Sequence, residues 1–230
     1  MVGAESLLRW HYPELGDVAP ADFIPVTEET GLTHGIGQWV FERACASLAR
    51  WLYTGVPFRG HLSVNVSPWQ FARQDFADRV HQSLLAHELD PRYMVLELTE
   101  SALLYDPEGS INKLLALRAY GFKVSLDDFG TGYSSFAYLK DLPLDIIKID
   151  KAFVDELSTA HEHPLAESLI AIGRYRQLDI IAEGVELPPQ REMLIGLGCD
   201  KFQGHLFSRP LPEKDFLEWV AQNADKQVQM

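Results

Sequence analysis

The chain has 230 residues, of which 47% are apolar and 23% are charged, the composition of an ordinary globular domain. This length can bury one large core, and we expect a single domain that covers residues 1–230. The net charge of −13 argues against a nucleic-acid polymer as partner, because no basic surface could replace the counterions of the phosphates. A small phosphate ester held through metal ions is still compatible with this charge.

The cysteine and hydropathy patterns bear on the cellular compartment. Cys45 and Cys199 are too few for a disulfide framework, and we expect both to be buried, inert thiols. The sequence shows neither a signal-peptide pattern nor an apolar run of 18 residues. We therefore predict a cytoplasmic domain that makes no membrane contact itself, which leaves open a membrane anchor elsewhere in the parent protein.

Hydrophobic periodicity predicts strands that alternate with helices along the chain. The clearest helix covers residues 36–53, where Val40, Ala44, Leu48 and Trp51 share one face. In chain order, the predicted strands are residues 4–8, 61–66, 94–99, 123–127, 145–149, 180–182 and 201–203. The predicted helices are residues 21–30, 36–53, 68–85, 109–119, 151–157, 164–176, 189–196 and 213–222, with a short helical turn near 136–139.

Strands that alternate with helices and are apolar enough to be covered on both faces predict a parallel sheet. Polar residues nevertheless recur at successive strands: Glu5, Asn65, Glu97, Asp127 with Asp128, Lys148, Glu183 and Gln203. An open sheet would spread these residues along a line, whereas a barrel directs them to one place at the carboxyl ends of its strands. We therefore predict an α/β fold of the TIM-like (β/α)8 barrel type with one strand lacking, rather than a doubly wound sheet.

The adjacent carboxylates Asp127 and Asp128 need an explanation, because neighbouring side chains in a strand point to opposite faces. They can serve one site only if the strand ends there and the backbone turns. Gly130 and Gly132 would permit that turn. The alternative is a polar strand end that enters a solvated loop.

The other polar residues also have structural alternatives. Glu97 could be a carboxylate paired with a lysine, Asn65 could bond backbone groups, and Lys148 needs a carboxylate neighbour in either case. Together, however, so many buried acids would repel one another and take up protons unless divalent cations offset their charge. Oxygen ligands without a cysteine or histidine cluster indicate two hard ions, Mg²⁺ or Mn²⁺, that activate water against a phosphoryl centre.

These residues lie in motifs that resemble those of the EAL-domain phosphodiesterases, which cleave the bacterial messenger cyclic di-GMP. The resemblance covers nearly the whole chain, and the motifs follow the order of the family. They are Gly3-Ala4-Glu5-Ser6-Leu7-Leu8-Arg9-Trp10, Asp22-Phe23-Ile24-Pro25, Val64-Asn65-Val66-Ser67, Glu97-Leu98-Thr99-Glu100, the loop Asp127-Asp128-Phe129-Gly130-Thr131-Gly132-Tyr133-Ser134-Ser135, Lys148-Ile149-Asp150, Ala182-Glu183-Gly184-Val185-Glu186, Gln203-Gly204 and Arg209-Pro210-Leu211-Pro212.

The resemblance implies two metal ions and the residues that hold them. The first ion would have four ligands: Glu5, Asn65, Glu97 and Asp127. The second would share one of these and have three: Asp127, Asp128 and Glu183. Catalysis would also involve Lys148, which would orient the attacking water and help to deprotonate it.

The remaining implied roles concern the substrate and the loop at residues 127–135. Arg9 would contact a substrate phosphate, and Gln203 would support the site and the substrate. Glu100 and Glu186 would stabilise the loop. The implied reaction is hydrolysis of one phosphodiester bond of cyclic di-GMP to give linear pGpG, which lowers the messenger that controls biofilm formation and motility. The resemblance further implies sensory or GGDEF domains in the full-length protein and a homodimer.

Two departures from the family pattern matter. The signature tripeptide reads Glu5-Ser6-Leu7 instead of Glu-Ala-Leu, a change that leaves the metal ligand in place. In the family, an antiparallel strand with a Tyr-Gln-Pro motif precedes the signature strand, whereas this chain begins at Met1. We therefore expect a barrel without its first strand and an N-terminally shortened fragment of a longer regulatory protein.

Two other functions stay open at this stage. A receptor that binds cyclic di-GMP without turnover would be favoured by the loss of a metal ligand, and none of the implied ligands is replaced. A metal-dependent barrel enzyme for another phosphorylated substrate is disfavoured by the contiguous loop at residues 127–135. His161 and His163 are predicted to lie in a solvated loop, and we assign no catalytic role to His205.

Overall fold

A computed structural model describes residues 1–130, 140–157 and 164–223. In these ranges the chain forms nine strands, β1 (Gly3–Ser6), β2 (Trp10–Tyr12), β3 (Gly16–Val18), β4 (His61–Val66), β5 (Met94–Thr99), β6 (Lys123–Phe129), β7 (Ile146–Ile149), β8 (Asp179–Ala182) and β9 (Lys201–Phe202). Seven of them form one parallel sheet in the order β1-β4-β5-β6-β7-β8-β9, while β2 and β3 pair as an antiparallel hairpin. The seven predicted strands and the TIM-like α/β fold are confirmed.

Helices lie between successive strands of the sheet, apart from β6 and β7, between which the described residues contain none. The described ranges contain α1 (Pro20–Glu29), α2 (Thr33–Tyr53), α3 (Pro68–Ala72), α4 (Phe76–Ala86), α5 (Glu100–Leu104), α6 (Pro107–Tyr120), α7 (Lys151–Glu156), α8 (Pro164–Tyr175), α9 (Pro188–Leu197) and α10 (Glu213–Asn223). A short 3₁₀ turn at Pro91–Tyr93 precedes β5.

One local prediction needs correction, two elements were not predicted, and one predicted element lies outside the described residues. The helix predicted at 68–85 is two helices, α3 and α4, because Arg73 adopts an extended backbone after the first of them. The β2–β3 hairpin and α5 were not predicted, since elements of three to five residues are too short to show a period. The helical turn predicted near 136–139 falls outside the described residues.

Strand residues alternate between two environments, which separates the main core from the sheet interior. On β5, Leu96 and Leu98 are buried in the main core between the sheet and the helices. On the same strand, Glu97 points to the opposite, concave side, where it meets charged groups from other strands. Cys45 and Cys199 are buried as predicted. No helix in the described part of the chain is long and apolar enough to cross a membrane.

The last helix returns to the first part of the chain and so holds the two ends of the sheet near each other. Phe216 on α10 lies 5.3 Å from the ring of Trp51 and 6.2 Å from the ring of Phe58, measured between centroids. Trp51 Nε1 donates a hydrogen bond of 2.7 Å to Glu213 Oε1, and Arg50 pairs with the same carboxylate. Helix α10, which follows β9, is therefore anchored on α2, which follows β1.

Candidate active site

Polar side chains from all seven parallel strands, or from the residue that follows them, lie at the carboxyl ends on the concave side of the sheet. Glu5 is on β1, Asn65 on β4, Glu97 on β5, Asp127 on β6 and Lys148 on β7, while Glu183 follows β8 and Gln203 follows β9. In barrels of parallel strands, this end carries the active site. The structure therefore brings together the residues that the sequence analysis singled out.

Lys148 is the centre of this cluster, and its side chain is only 1% exposed. Its Nζ lies 2.6 Å from Glu183 Oε1 and 3.0 Å from Glu97 Oε2. The same Nζ lies 3.4 Å from Asp127 Oδ1 and 3.5 Å from Glu5 Oε2. One buried ammonium group is thus surrounded by carboxylates from four strand ends.

Glu5 is held by two amides in addition to Lys148. Asn65 Nδ2 donates a hydrogen bond of 2.6 Å to Glu5 Oε1, and Gln203 Nε2 donates one of 2.6 Å to Glu5 Oε2. Burial raises the pKa of Glu5, but the charge of Lys148 and the two amide hydrogen bonds outweigh that effect, so the pKa lies below its ordinary value. Glu5 is therefore ionised and fixed in orientation.

The other acids show that the cluster carries more negative charge than Lys148 can offset. Burial, together with neighbouring carboxylates, raises the pKa of Glu97 to about 8 and that of Glu183 to about 7. Burial would lower the pKa of Lys148, but the surrounding carboxylates outweigh it and raise that pKa above its ordinary value. Added positive charge would relieve this imbalance, and that is the environment in which a divalent cation binds.

The paired aspartates meet through a bulge in β6, which corrects the predicted strand end at Asp127. The strand continues to Phe129, but its register against β7 shifts between Leu126 and Phe129. Asp128 occupies the extra position with a left-handed backbone at φ 54°. This conformation is one that aspartate tolerates better than most residues. The turn therefore occurs at Asp128 itself, before Gly130, and Gly132 lies outside the described residues.

As a result of the bulge, oxygens of Asp127, Asp128 and Glu183 all lie within 4.8 Å of one another. Each residue offers a carboxylate oxygen, and the group contains no sulfur or imidazole ligand. Hard cations such as Mg²⁺ and Mn²⁺ take oxygen ligands of this kind. The residues present at this site fit a divalent cation.

Asp150 is a further residue of the site that the sequence analysis left without a role. Its Oδ1 accepts a hydrogen bond of 2.8 Å from the backbone of Ala152 at the start of α7. Its carboxyl group is also close enough to Asp128 to influence the charge of that residue. Burial, Asp127 and Asp150 together raise the pKa of Asp128. The available signal was the aspartate directly before a predicted helix, in the helix-capping position, two residues after Lys148.

The remaining predicted residues lie around this cluster. Arg9 is exposed, and its Nη1 donates to the carbonyl oxygen of Leu8 at 2.8 Å. Glu100 is the first residue of α5 and is half-buried, while most of the loop that it was expected to brace lies outside the described residues. The carboxylate of Glu186 accepts a hydrogen bond of 2.7 Å from Lys151 Nζ.

The histidines add little to the cluster. His205 Nδ1 lies 3.7 Å from Glu186 Oε1, at an exposed position. His161 and His163 fall outside the described residues. The roles predicted for Arg9, Glu100 and Glu186 stay predictions.

The fold and the site define a class of protein: a TIM-like α/β domain with an acidic, oxygen-lined centre at the carboxyl ends of its parallel strands. The sequence profile of the EAL domain matches residues 1–210. The chain belongs to the EAL domain family, as its motifs predicted.

Two full-length relatives show how much of a longer protein this chain corresponds to. The chain is 43% identical over 222 residues to the bifunctional diguanylate cyclase/cyclic di-GMP phosphodiesterase MucR of Pseudomonas aeruginosa, a match that covers 96% of this chain and 32% of MucR. It is 38% identical over 224 residues to the signaling protein YkoW of Bacillus subtilis, with 96% of this chain and 27% of YkoW covered. The chain thus spans about a third or less of these relatives.

Two solved structures share the fold. The PaMucR phosphodiesterase in complex with c-di-GMP has a TM-score of 0.89 and 42% identity, with 94% of this chain and 87% of that chain covered. The FimX EAL domain from Pseudomonas aeruginosa bound to c-di-GMP has a TM-score of 0.81 and 25% identity, with 90% of this chain and 82% of that chain covered. These similarities confirm the EAL-type, TIM-like fold.

Proposed function

We propose that this chain hydrolyses cyclic di-GMP to linear pGpG with the help of two divalent cations, Mg²⁺ or Mn²⁺. The observation that carries the proposal is the cluster of acids around Lys148, which contains four of the six ligands that the EAL motifs imply. The phosphodiesterase name of MucR and the c-di-GMP in the PaMucR complex support the choice of substrate.

Two overlapping ligand sets would hold the cations. Glu5, Asn65, Glu97 and Asp127 would hold one, and Asp127, Asp128 and Glu183 would hold the other. Asn65 donates a hydrogen bond to Glu5 through its side-chain nitrogen. The side-chain carbonyl oxygen of Asn65 is therefore available as a metal ligand. When bound, such cations lower the pKa of a water molecule and offset the charge of a phosphodiester.

Lys148 would orient the attacking water through its ammonium group. In the cation-free chain the raised pKa keeps a proton on Nζ, so in that state Lys148 donates hydrogen bonds and cannot act as a base. Once the charges of the carboxylates around it are offset, that pKa falls and Nζ can take a proton from the water. Glu183, whose Oε1 lies 2.6 Å from Nζ, would hold the ammonium group of Lys148 in place.

The substrate carries negative charge, as does the protein, and Arg9 would contribute a cation at the rim of the site. Gln203 would support the substrate from beside Glu5, and Glu100 and Glu186 would stabilise the loop at residues 127–135. We further propose that the domain acts in the cytoplasm, as a homodimer, within a longer regulatory protein that carries sensory or GGDEF domains. Light scattering of the purified chain tests the dimer.

The test of the proposed function is a turnover assay that separates an enzyme from a receptor. The chain is incubated with cyclic di-GMP and Mg²⁺ or Mn²⁺, and the nucleotides are resolved by chromatography. We expect linear pGpG from the unmodified chain and from Glu192→Gln, a matched change at an exposed position on α9, but not from Glu97→Gln. Tight binding with the cyclic dinucleotide recovered intact would show a receptor instead.

A further inference from the structure

Ser125 has a buried hydroxyl group that the site as described does not use. The residue is 0% exposed. Within the part of the chain that the structure describes, its Oγ is the one buried side-chain nitrogen or oxygen atom without a hydrogen-bond partner. Such groups are rare in folded proteins because an unmade hydrogen bond in the interior is unfavourable, and most of them bind an internal water molecule.

The position of Ser125 relates this hydroxyl group to the acidic cluster. Ser125 lies two residues before Asp127 on β6 and therefore points to the same concave side of the sheet. Its neighbour in register on β5 is Glu97. The contact of 3.0 Å between Lys148 on β7 and Glu97 on β5 crosses over β6. Ser125 thus lies on the strand beneath this ion pair.

The surroundings of Ser125 suit a water molecule. On β5, Val95 lies two residues before Glu97 on the concave side and pairs in register with Ser63 on β4. On the other flank, Ser125 pairs in register with Ile146. A water molecule in the interior needs two or more polar partners, which Ser125 Oγ and the carboxylate of Glu97 would supply.

We propose that Ser125 binds one ordered water molecule beneath the Lys148–Glu97 ion pair, and that this water holds the carboxylate of Glu97 in its orientation as a metal ligand. Ser125 is then a positioning residue that acts through Glu97. Partners that orient a ligand carboxylate in this way contribute strongly to metal affinity. The effect on metal binding rests on the proposed function, whereas the water site does not.

The test compares Ser125→Ala with Ser110→Ala, a matched change at another buried serine, on α6. Mn²⁺ affinity is measured by calorimetry, and thermal unfolding is measured in a chelator. We expect Ser125→Ala to bind Mn²⁺ about tenfold more weakly and to melt no higher than the unmodified chain, while Ser110→Ala keeps the affinity. Unchanged affinity, or a higher melting temperature of the kind that removal of an unpartnered hydroxyl produces, would overturn the inference.

High-resolution diffraction of the unmodified chain provides a readout that does not depend on metal. We expect a water molecule within hydrogen-bond distance of Ser125 Oγ and of the Glu97 carboxylate, and its absence would overturn the inference. If the unmodified chain binds no Mn²⁺ at all, the proposed function fails, and the diffraction result still decides the water site.

Discussion

The side-chain amide of Gln203 donates a hydrogen bond of 2.6 Å to Glu5 and thereby joins the two ends of the parallel sheet. Glu5 lies on β1 and Gln203 directly follows β9, the first and last strands of the sheet. The orientation of a proposed metal ligand therefore depends on a residue almost two hundred positions away in the chain.

The first prediction follows from this contact. Gln203→Leu removes the donor at similar volume, and a hydrogen bond to a charged group contributes about 1.5–3 kcal/mol to stability. We expect the free energy of unfolding, measured in urea, to fall by this amount, and turnover to be about tenfold lower. The control is Gln38→Leu, which removes an amide bonded to Glu42 on α2 and lies outside the acidic cluster. Equal turnover of the two variants would contradict a role of Gln203 in positioning Glu5.

The second prediction concerns Lys148. Lys148→Met removes a cation that contacts four carboxylates, so it leaves buried acids without this partner. We expect a loss of stability of about 3–5 kcal/mol in the absence of metal. With metal, turnover should fall by about 10²–10⁴-fold while the affinity for cyclic di-GMP stays similar.

Binding and turnover are measured separately on Lys148→Met and on Lys214→Met, a change at an exposed lysine of α10. A parallel loss of affinity and turnover in Lys148→Met would assign Lys148 to substrate binding and would reject its proposed role in catalysis.

The third prediction concerns pH in the absence of metal. Folding raises the pKa of Glu97 to about 8 and that of Glu183 to about 7, both from an ordinary value of 4.5. The folded state therefore holds these protons more tightly than the unfolded state, so the stabilisation is present at acidic pH and is lost as the pH rises through 7 and 8. In a chelator, the free energy of unfolding should fall between about pH 5 and 8, by up to about 1.4 kcal/mol per pH unit for each proton, and should level off above pH 8.

The measurement is urea unfolding across this pH range with and without Mn²⁺. Mn²⁺ should make the free energy of unfolding less dependent on pH, because the cation replaces the protons on Glu97 and Glu183. Glu97→Gln should reduce this dependence in part, because one titrating group is gone. A free energy of unfolding that rises with pH in the chelator would show that the acids are ionised without metal.

The fourth prediction uses the left-handed backbone of Asp128. Asparagine tolerates this conformation, so Asp128→Asn should preserve stability but lose turnover, since it removes a carboxylate ligand. Asp128→Val should lose turnover and also cost about 1–2 kcal/mol of stability, because a β-branched residue is strained there. Thermal unfolding of both variants is the measurement. Equal stability would indicate that the bulge is not constrained at this residue.

Much of the site could be predicted because side chains along a strand alternate between its two faces, so the sequence of a strand shows which residues share a face. The prediction of β5 at residues 94–99 agrees with the observed strand Met94–Thr99, and the alternation along it places Glu97 opposite Leu96 and Leu98. A buried polar residue in an apolar strand is energetically unfavourable unless it has polar partners. Each such residue therefore indicated that its strand end faces a polar site shared with the other strands.

The rest depends on contacts between distant parts of the chain. The bulge at Asp128 is a matter of register between β6 and β7, and no local propensity encodes it. The interaction between the carboxyl groups of Asp150 and Asp128 needs that bulge in place. The charge states of Glu97 and Lys148 arise from burial and from neighbours on other strands, which a sequence pattern does not measure.

The most direct measurement of the central claim is anomalous diffraction from crystals of the chain grown with Mn²⁺. We predict two Mn²⁺ ions that share Asp127, one bound also to Glu5, Asn65 and Glu97, and the other bound also to Asp128 and Glu183. Anomalous density away from these side chains, or none among them at saturating Mn²⁺, would contradict the claim that the acids around Lys148 form a two-metal centre.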